Sequence, residues 1–208
     1  QKLERDGIVL RKEGDPEVHV RPRVHVFDEP LPPRDAGEKI ERSTHFILVT
    51  VKQTAITESF ALALRQWTQP NSYVLCLQNG IGHAEVLSAH IPASRLLLGV
   101  TTEAALRLSE TEVLHTGAGE MWLGLWKSDE WTENGAEIQK KLAFCLDKAG
   151  FRSFLSNDMS SRVWQKLLIN AAINPLTAIL GIRNGELLRL EDAHLLMLSI
   201  LREGLALA

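Results

Sequence analysis

Phe46-Ile47-Leu48-Val49-Thr50-Val51 is an uncharged run dense in β-branched and bulky side chains, closed by Lys52. A continuous apolar run this short suits a strand buried on both faces of a parallel sheet, because a half-buried strand alternates apolar and polar residues. Tyr73-Val-Leu-Cys-Leu77 repeats the pattern and stops at Gln78-Asn79-Gly80, and Arg95-Leu-Leu-Leu-Gly-Val100 repeats it again. Helical spacing fills residues 54–68 and, more weakly, 83–90. The order strand, helix, strand, helix, strand predicts an α/β fold with a parallel sheet.

On the N-terminal side, a Pro-rich loop (Pro30, Pro32, Pro33) separates this unit from two β-like runs. These are Gly7 to Leu10 and the alternating Val18, Val20, Val24 and Val26, with a turn at Glu13-Gly14-Asp15-Pro16 between them. Pro22 offers no N–H to a ladder and marks an edge strand. On the C-terminal side, Thr111–His115 and Met121–Trp126 read as antiparallel strands about the turn Gly117-Ala118-Gly119, which makes the sheet mixed. A charged helix over about 134–149 ends at Gly150 as its C′ residue, and Phe151–Leu155 is a last strand. From Ser160 onward nearly every residue suits a helix, with a turn at Arg183-Asn184-Gly185. The chain therefore divides into residues 1–157, α/β, and residues 158–208, all helical. The final helix is expected to be still running at Leu207, as in a chain cut from a longer one.

Composition narrows the function classes. With 26 acidic and 23 basic residues, a net charge of −3 and a pI near 6.2, the chain has no electrostatic reason to bind nucleic acid or an anionic membrane. No uncharged apolar run approaches the roughly 20 residues that span a bilayer, and no basic-then-apolar leader opens the sequence. A cytoplasmic protein is expected. Cys76 and Cys145 lie far apart in apolar stretches and fit no C-x-x-C or metal spacing, so both are read as reduced core residues. The histidines show no zinc-ligand spacing.

In Trp164-Gln-Lys-Leu-Leu-Ile-Asn-Ala-Ala-Ile-Asn-Pro-Leu-Thr-Ala-Ile-Leu180, the polar residues Lys166, Asn170 and Asn174 recur every four places and share one helix face. The other positions are so apolar that the helix is expected to be buried nearly all round. Three buried polar groups then need partners, since an unsatisfied amide costs roughly 1–3 kcal/mol. The bland reading sends the Lys166 stem to solvent and uses the asparagines as loop caps. Pro175 favours the other reading: it removes one helical hydrogen bond and frees the Ala171 carbonyl, a local break suited to a ligand. A lysine in such a pocket can serve as a general acid, because desolvation lowers its pKa from about 10.4 toward neutrality.

The stretch from Trp164 to Leu187, with Lys166, Asn170, Asn174-Pro175-Leu176-Thr177-Ala178 and Asn184-Gly185-Glu186-Leu187, closely resembles the first helix of the C-terminal domain of the ketopantoate reductase family. The resemblance implies an incomplete Rossmann-type dinucleotide-binding domain. The start of an all-α domain, like the C-terminal domain of 6-phosphogluconate dehydrogenase, would follow it. It implies Lys166 as proton donor to a ketone oxygen. Asn170, Asn174 and Asn184 would hold the substrate's carboxylate and hydroxyl groups.

Ligands of doubly wound sheets bind at the carboxyl ends of strands, which directs scrutiny to the strand exits. Lys52 taken alone is an ordinary surface lysine, but Val49-Thr-Val-Lys52 resembles the family strand whose terminal lysine contacts the dinucleotide. The family often has Gln three residues later; here Gln53 follows directly and Ala55 occupies that place, so Gln53 is left out of the site. Gln78-Asn79-Gly80-Ile-Gly82 would elsewhere be a bare turn. By resemblance, Asn79 lies between cofactor and substrate, and Gly99-Val-Thr-Thr-Glu-Ala-Ala105 places the Ala105 backbone on the cofactor. Gly117-Ala118-Gly119 leads into a strand and misplaces the third glycine of G-x-G-x-x-G, so it reads as a turn, with His115 a structural imidazole.

By the resemblance, Gln1 lies just past the family's second strand, and the glycine-rich phosphate loop would precede it. The implied activity is reduction of the 2-oxo acid 2-dehydropantoate by NADPH. Two rivals stand beside it: a reductase of the same fold acting on another 2-oxo acid, and a non-catalytic remnant used for binding or oligomerisation. Oligomeric state, a homodimer included, is left open.

Overall fold

The computed structural model describes residues 2–27, 44–131 and 134–208, so the expected Pro-rich loop at Pro30–Pro33 lies outside the described residues. The chain runs α1 (Lys2–Asp6), β1 (Ile8–Lys12), β2 (Val18–Val20), β3 (His45–Val49), α2 (Glu58–Trp67), β4 (Ser72–Cys76), α3 (His83–Ser88) and β5 (Leu96–Thr101). It continues through β6 (Ala104–Arg107), β7 (Glu112–Gly117), β8 (Met121–Leu125), α4 (Gly135–Lys148), β9 (Ser153–Leu155), α5 (Met159–Leu180) and α6 (Glu191–Leu205). Short 3₁₀ turns at Gln53–Ala55 and Asn184–Arg189 precede α2 and α6.

The larger sheet has the order β3-β4-β5-β8-β9, with β3, β4 and β5 parallel and β8 antiparallel to β5. Successive β4 residues point to opposite faces, and both faces are covered. Val74 and Cys76 pack with Ala61, Leu64 and Leu87 of α2 and α3, while Leu75 packs with Leu142 and Leu146 of α4. That double coverage is why the strand is apolar without alternation.

The helix ends follow the sequence closely. Thr57 caps α2 by accepting the Phe60 N–H at 3.2 Å. Gly150 adopts φ +92°, and its N–H and that of Phe151 bond the carbonyls of Asp147 and Leu146, the two bonds of a Schellman end.

Several expectations are corrected. A second sheet, β2-β1-β7-β6, stands apart from the first, so β7 and β8 do not form a hairpin in one mixed sheet: β7 pairs parallel with β1 and antiparallel with β6. Gly119 explains the switch. A Cβ there would stand 2.4 Å from the Thr102 carbonyl carbon and 2.5 Å from the Glu103 nitrogen, so the chain leaves one sheet for the other across that backbone. The alternating Val24 and Val26 form no strand, because β2 stops at Val20, two residues before Pro22 breaks the donor row. The run through Val51 ends as a strand at Val49, where the Gln78 amide occupies the Val49 and Val51 carbonyls at 2.7 and 3.1 Å. Cys145 is exposed, unlike buried Cys76, since the apolar stretch of α4 wraps both faces and only Ile138, Leu142 and Leu146 turn inward among its large apolar residues.

The long helix also differs from expectation. α5 continues through Pro175 without interruption and is buried only at Met159, Leu168, Ala172 and Leu176; Ile169 and Ile179 are 53 % and 79 % exposed. Its partners cover one side: α6 approaches where Gly204 sits on Leu168, and Leu187 and Ala193 meet Leu176. α6 ends at Leu205, short of Leu207. Among the described residues no helix is long and apolar enough to cross a membrane.

Candidate active site

Lys166 joins α5 to the larger sheet. At about 100° per residue, the stripe Lys166, Asn170 and Asn174 lies on the side of α5 opposite Leu168, Ala172 and Leu176, so it faces away from α6. The Lys166 ammonium reaches 65 residues back and donates to the carbonyl of Thr101 at 2.5 Å. Thr101 is the last residue of β5, so this contact sits at the carboxyl end of the parallel strands. Lys166 is half-buried, and burial lowers its pKa from the ordinary 10.5.

The turn that presents the Thr101 carbonyl is held from several directions. The Glu103 N–H donates to Thr101 Oγ1 at 3.0 Å, and the Glu120 N–H donates to Thr102 Oγ1 at 2.9 Å. The Glu103 carboxylate bonds the His115 ring at 2.7 Å. That bond, with help from the Gly119 N–H, holds Glu103 below the usual carboxylate range. His115 is thus tied to a carboxylate across the β6–β7 pair.

The remaining candidates occupy five places. Asn170 is half-buried one turn beyond Lys166, and Asn174 is exposed one turn further, each step being about 6 Å of rise. Asn184 opens the 3₁₀ turn after α5, which folds back to put Leu187 against Leu176. Asn79 is exposed on the loop leaving β4, and Lys52 is exposed where the 3₁₀ turn after β3 begins. Ala105 lies in β6 of the smaller sheet, opposite His115. The structure joins Lys166 to the end of β5 and sets Lys52 and Asn79 on neighbouring strand exits; Asn184 and Ala105 stand on other elements.

Gly80 and Gly82, at φ +93° and +94°, keep the Asn79 loop free of side chains in a conformation other residues rarely adopt. Beside it a cavity of about 210 Å³ opens between Gly80, Gly82, Trp126, Ser160, Val163 and Trp164, so it too bridges the sheet and α5. Buried His83 lines the same cavity, with a pKa lowered by burial and, among the described residues, no hydrogen-bond partner for Nδ1. Sequence reasoning passed over His83 and set Gln53 aside. Gln53 sends its amide to the Ile81 carbonyl, and the only hint in the sequence was its place beside Lys52.

Comparison with known proteins identifies the family. The family described as "Ketopantoate reductase PanE/ApbA" matches residues 1–128, and "Ketopantoate reductase PanE/ApbA C terminal" matches residues 158–208. The chain belongs to the ketopantoate reductase family. A relative named 2-dehydropantoate 2-reductase from Archaeoglobus fulgidus is 37 % identical over 142 residues, covering 68 % of this chain and 45 % of that protein. Another of that name, from Halobacterium salinarum, is 31 % identical over 162 residues, covering 78 % and 52 %. The chain spans about half the length of these curated relatives. Among solved structures, 2-dehydropantoate 2-reductase from Geobacter metallireducens superposes with a TM-score of 0.80 at 23 % identity, over 98 % of this chain and 62 % of that one. D-mandelate dehydrogenase, solved with NADH and anilino(oxo)acetate, gives 0.81 at 22 % identity, over 98 % and 60 %. Both share the α/β fold followed by helices.

Proposed function

We propose that this chain carries the substrate side, and part of the cofactor side, of an enzyme that reduces 2-dehydropantoate to (R)-pantoate with NADPH in pantothenate and coenzyme A biosynthesis. Residues 1–157 would be the dinucleotide-binding part and residues 158–208 the substrate part, in a cytoplasmic protein. The observation that carries the reading is the Lys166–Thr101 contact, which puts a half-desolvated ammonium at the strand ends where doubly wound sheets bind ligands.

The residues present suit a dinucleotide at that edge. Gly82 has open space where a Cβ would be, which allows close approach to its backbone, and Lys52 and Asn79 flank it on adjacent strand exits. Bound NADPH would supply a hydride to the ketone carbon. Lys166 would donate its proton to the oxygen as charge develops there, a transfer eased by its lowered pKa. The Thr101 carbonyl, as acceptor, aims the ammonium, and Asn170 and Asn174 offer amides to the carboxylate and hydroxyl one and two turns away. Asn184 would close the substrate end, and the Ala105 backbone would meet the cofactor.

A second reading, a reductase of the same fold for another 2-oxo acid, is supported by the equal likeness to D-mandelate dehydrogenase. Pocket shape separates such substrates, not the Lys–Asn stripe. The deciding experiment measures, in the intact protein, NADPH oxidation with 2-dehydropantoate against simple 2-oxo acids, for the wild type and Lys166→Ala. Lys166→Ala is expected to lower kcat far more than it weakens NADPH binding. An unchanged kcat removes Lys166 from the chemistry, and a wild type that binds neither NADPH nor 2-dehydropantoate supports the non-catalytic reading instead.

A further inference from the structure

Gln53 and Gln78 span the same gap from opposite sides. Gln53 opens the 3₁₀ turn after β3 and donates through Nε2 to the Ile81 carbonyl, 28 residues ahead. Gln78, in the loop after β4, donates through its own Nε2 to the Val49 and Val51 carbonyls at 2.7 and 3.1 Å. Each amide thus satisfies backbone acceptors of the other's loop, where the β3–β4 ladder has run out. Gly80 shows how closely the two loops fit: a Cβ there would stand 2.5 Å from Gln53 Oε1.

We propose that Gln53 is a positioning residue that fixes the Asn79–Ile81 loop relative to Lys52, so that both groups meet a dinucleotide as one rigid edge. This rests on the reading of Lys52 and Asn79 as cofactor-side groups. Gln53 itself acts through the loop: its amide is committed to Ile81, and Gly80 must remain side-chain-free for it to reach. Because Gln53 is exposed on a one-turn element, removing its amide loosens the loop without opening the core.

Two measurements on the intact protein test this separately. The first is cleavage by thermolysin at the Gly80–Ile81 bond, followed by mass spectrometry under native conditions. Loss of one net hydrogen bond should accelerate it about fivefold in Gln53→Ala, with little change in Tm, and Gln53→Glu, which sets an acceptor against the Ile81 carbonyl, should do the same. Unchanged cleavage in both variants overturns the clamp. The second is NADPH titration followed by nicotinamide fluorescence, in which Gln53→Ala should raise Kd about fivefold by the same reasoning. Faster cleavage with unchanged Kd overturns the positioning role. Faster cleavage in a chain whose wild type does not bind NADPH upholds the loop clamp and defeats the dinucleotide reading.

Discussion

The ammonium of Lys166 and the carbonyl of Thr101, 65 residues apart in sequence, meet at 2.5 Å, and this bond ties the long helix to the end of the central strand. It gives a polar group of α5 a fixed partner without neutralising it, because a carbonyl stabilises the ammonium while burial opposes it. Burial is the cause of the net lowering. Helix and strand are therefore joined through a half-buried ammonium.

That lowering can be read directly. Lys166 should acquire its neutral, nucleophilic form at a lower pH than the ordinary lysine value of 10.5. Acylation with a small anhydride across alkaline pH, quantified peptide by peptide, should give Lys166 a midpoint below that value. The linkage sign follows: between the lowered pKa and 10.5 the unfolded chain binds more protons, so this group makes stability rise with pH in that window. A midpoint at or above 10.5 would mean that the Thr101 carbonyl outweighs desolvation.

Glu103 and His115 give a pH dependence of opposite origin. The carboxylate is lowered from 4.5, first by the His115 bond, and both side chains are largely covered, at 18 % and 23 % exposure. A depressed carboxylate stabilises the fold fully above its unfolded pKa, and that contribution is lost as pH falls through the folded value. Glu103→Gln should cost about 1–2 kcal/mol at pH near 7, the scale of a charged hydrogen bond. The difference from wild type should hold down to the unfolded value of 4.5 and close as pH falls further, through the lowered folded value. Denaturant unfolding at several pH values measures it, and a gap that stays constant with pH would assign the pair a steric role only.

Much of the larger sheet was legible because double burial leaves a plain mark: the runs around Leu48, Leu75 and Leu97 contain no charge, and turn residues bound them. The Lys166 stripe was legible for a similar reason, since polar residues every four places stand out against apolar neighbours. What the sequence hid depends on contacts between distant segments. Local alternation made Thr111–His115 and Met121–Trp126 look like partners, whereas the backbone crossing at Gly119 sends them to different sheets. Apolar content suggested that α5 is buried all round, yet exposure depends on what packs against it, and Ile179 faces solvent. Gln53 was set aside because its place beside Lys52 does not reveal its partner, Ile81, which is 28 residues away and contributes only a backbone carbonyl.

The crossing at Gly119 is open to a direct steric test. Its backbone has no positive φ, so alanine is conformationally acceptable there; the obstacle is contact, with Thr102 and Glu103 backbone atoms inside 2.6 Å of the added carbon. Backbone cannot swing aside as a side-chain tip can, so Gly119→Ala should force the β5–β6 turn to move and cost about 2–3 kcal/mol. Gly14→Ala is the matched control: it has φ +82° and empty space, so its cost is conformational alone, about 1 kcal/mol. Because the displaced turn presents the Thr101 carbonyl, Gly119→Ala should also shift the acylation midpoint of Lys166, whereas Gly14→Ala should not. Equal destabilisation by the two substitutions, with Lys166 unmoved in both, would show that the turn absorbs the extra methyl group and that its placement does not depend on Gly119.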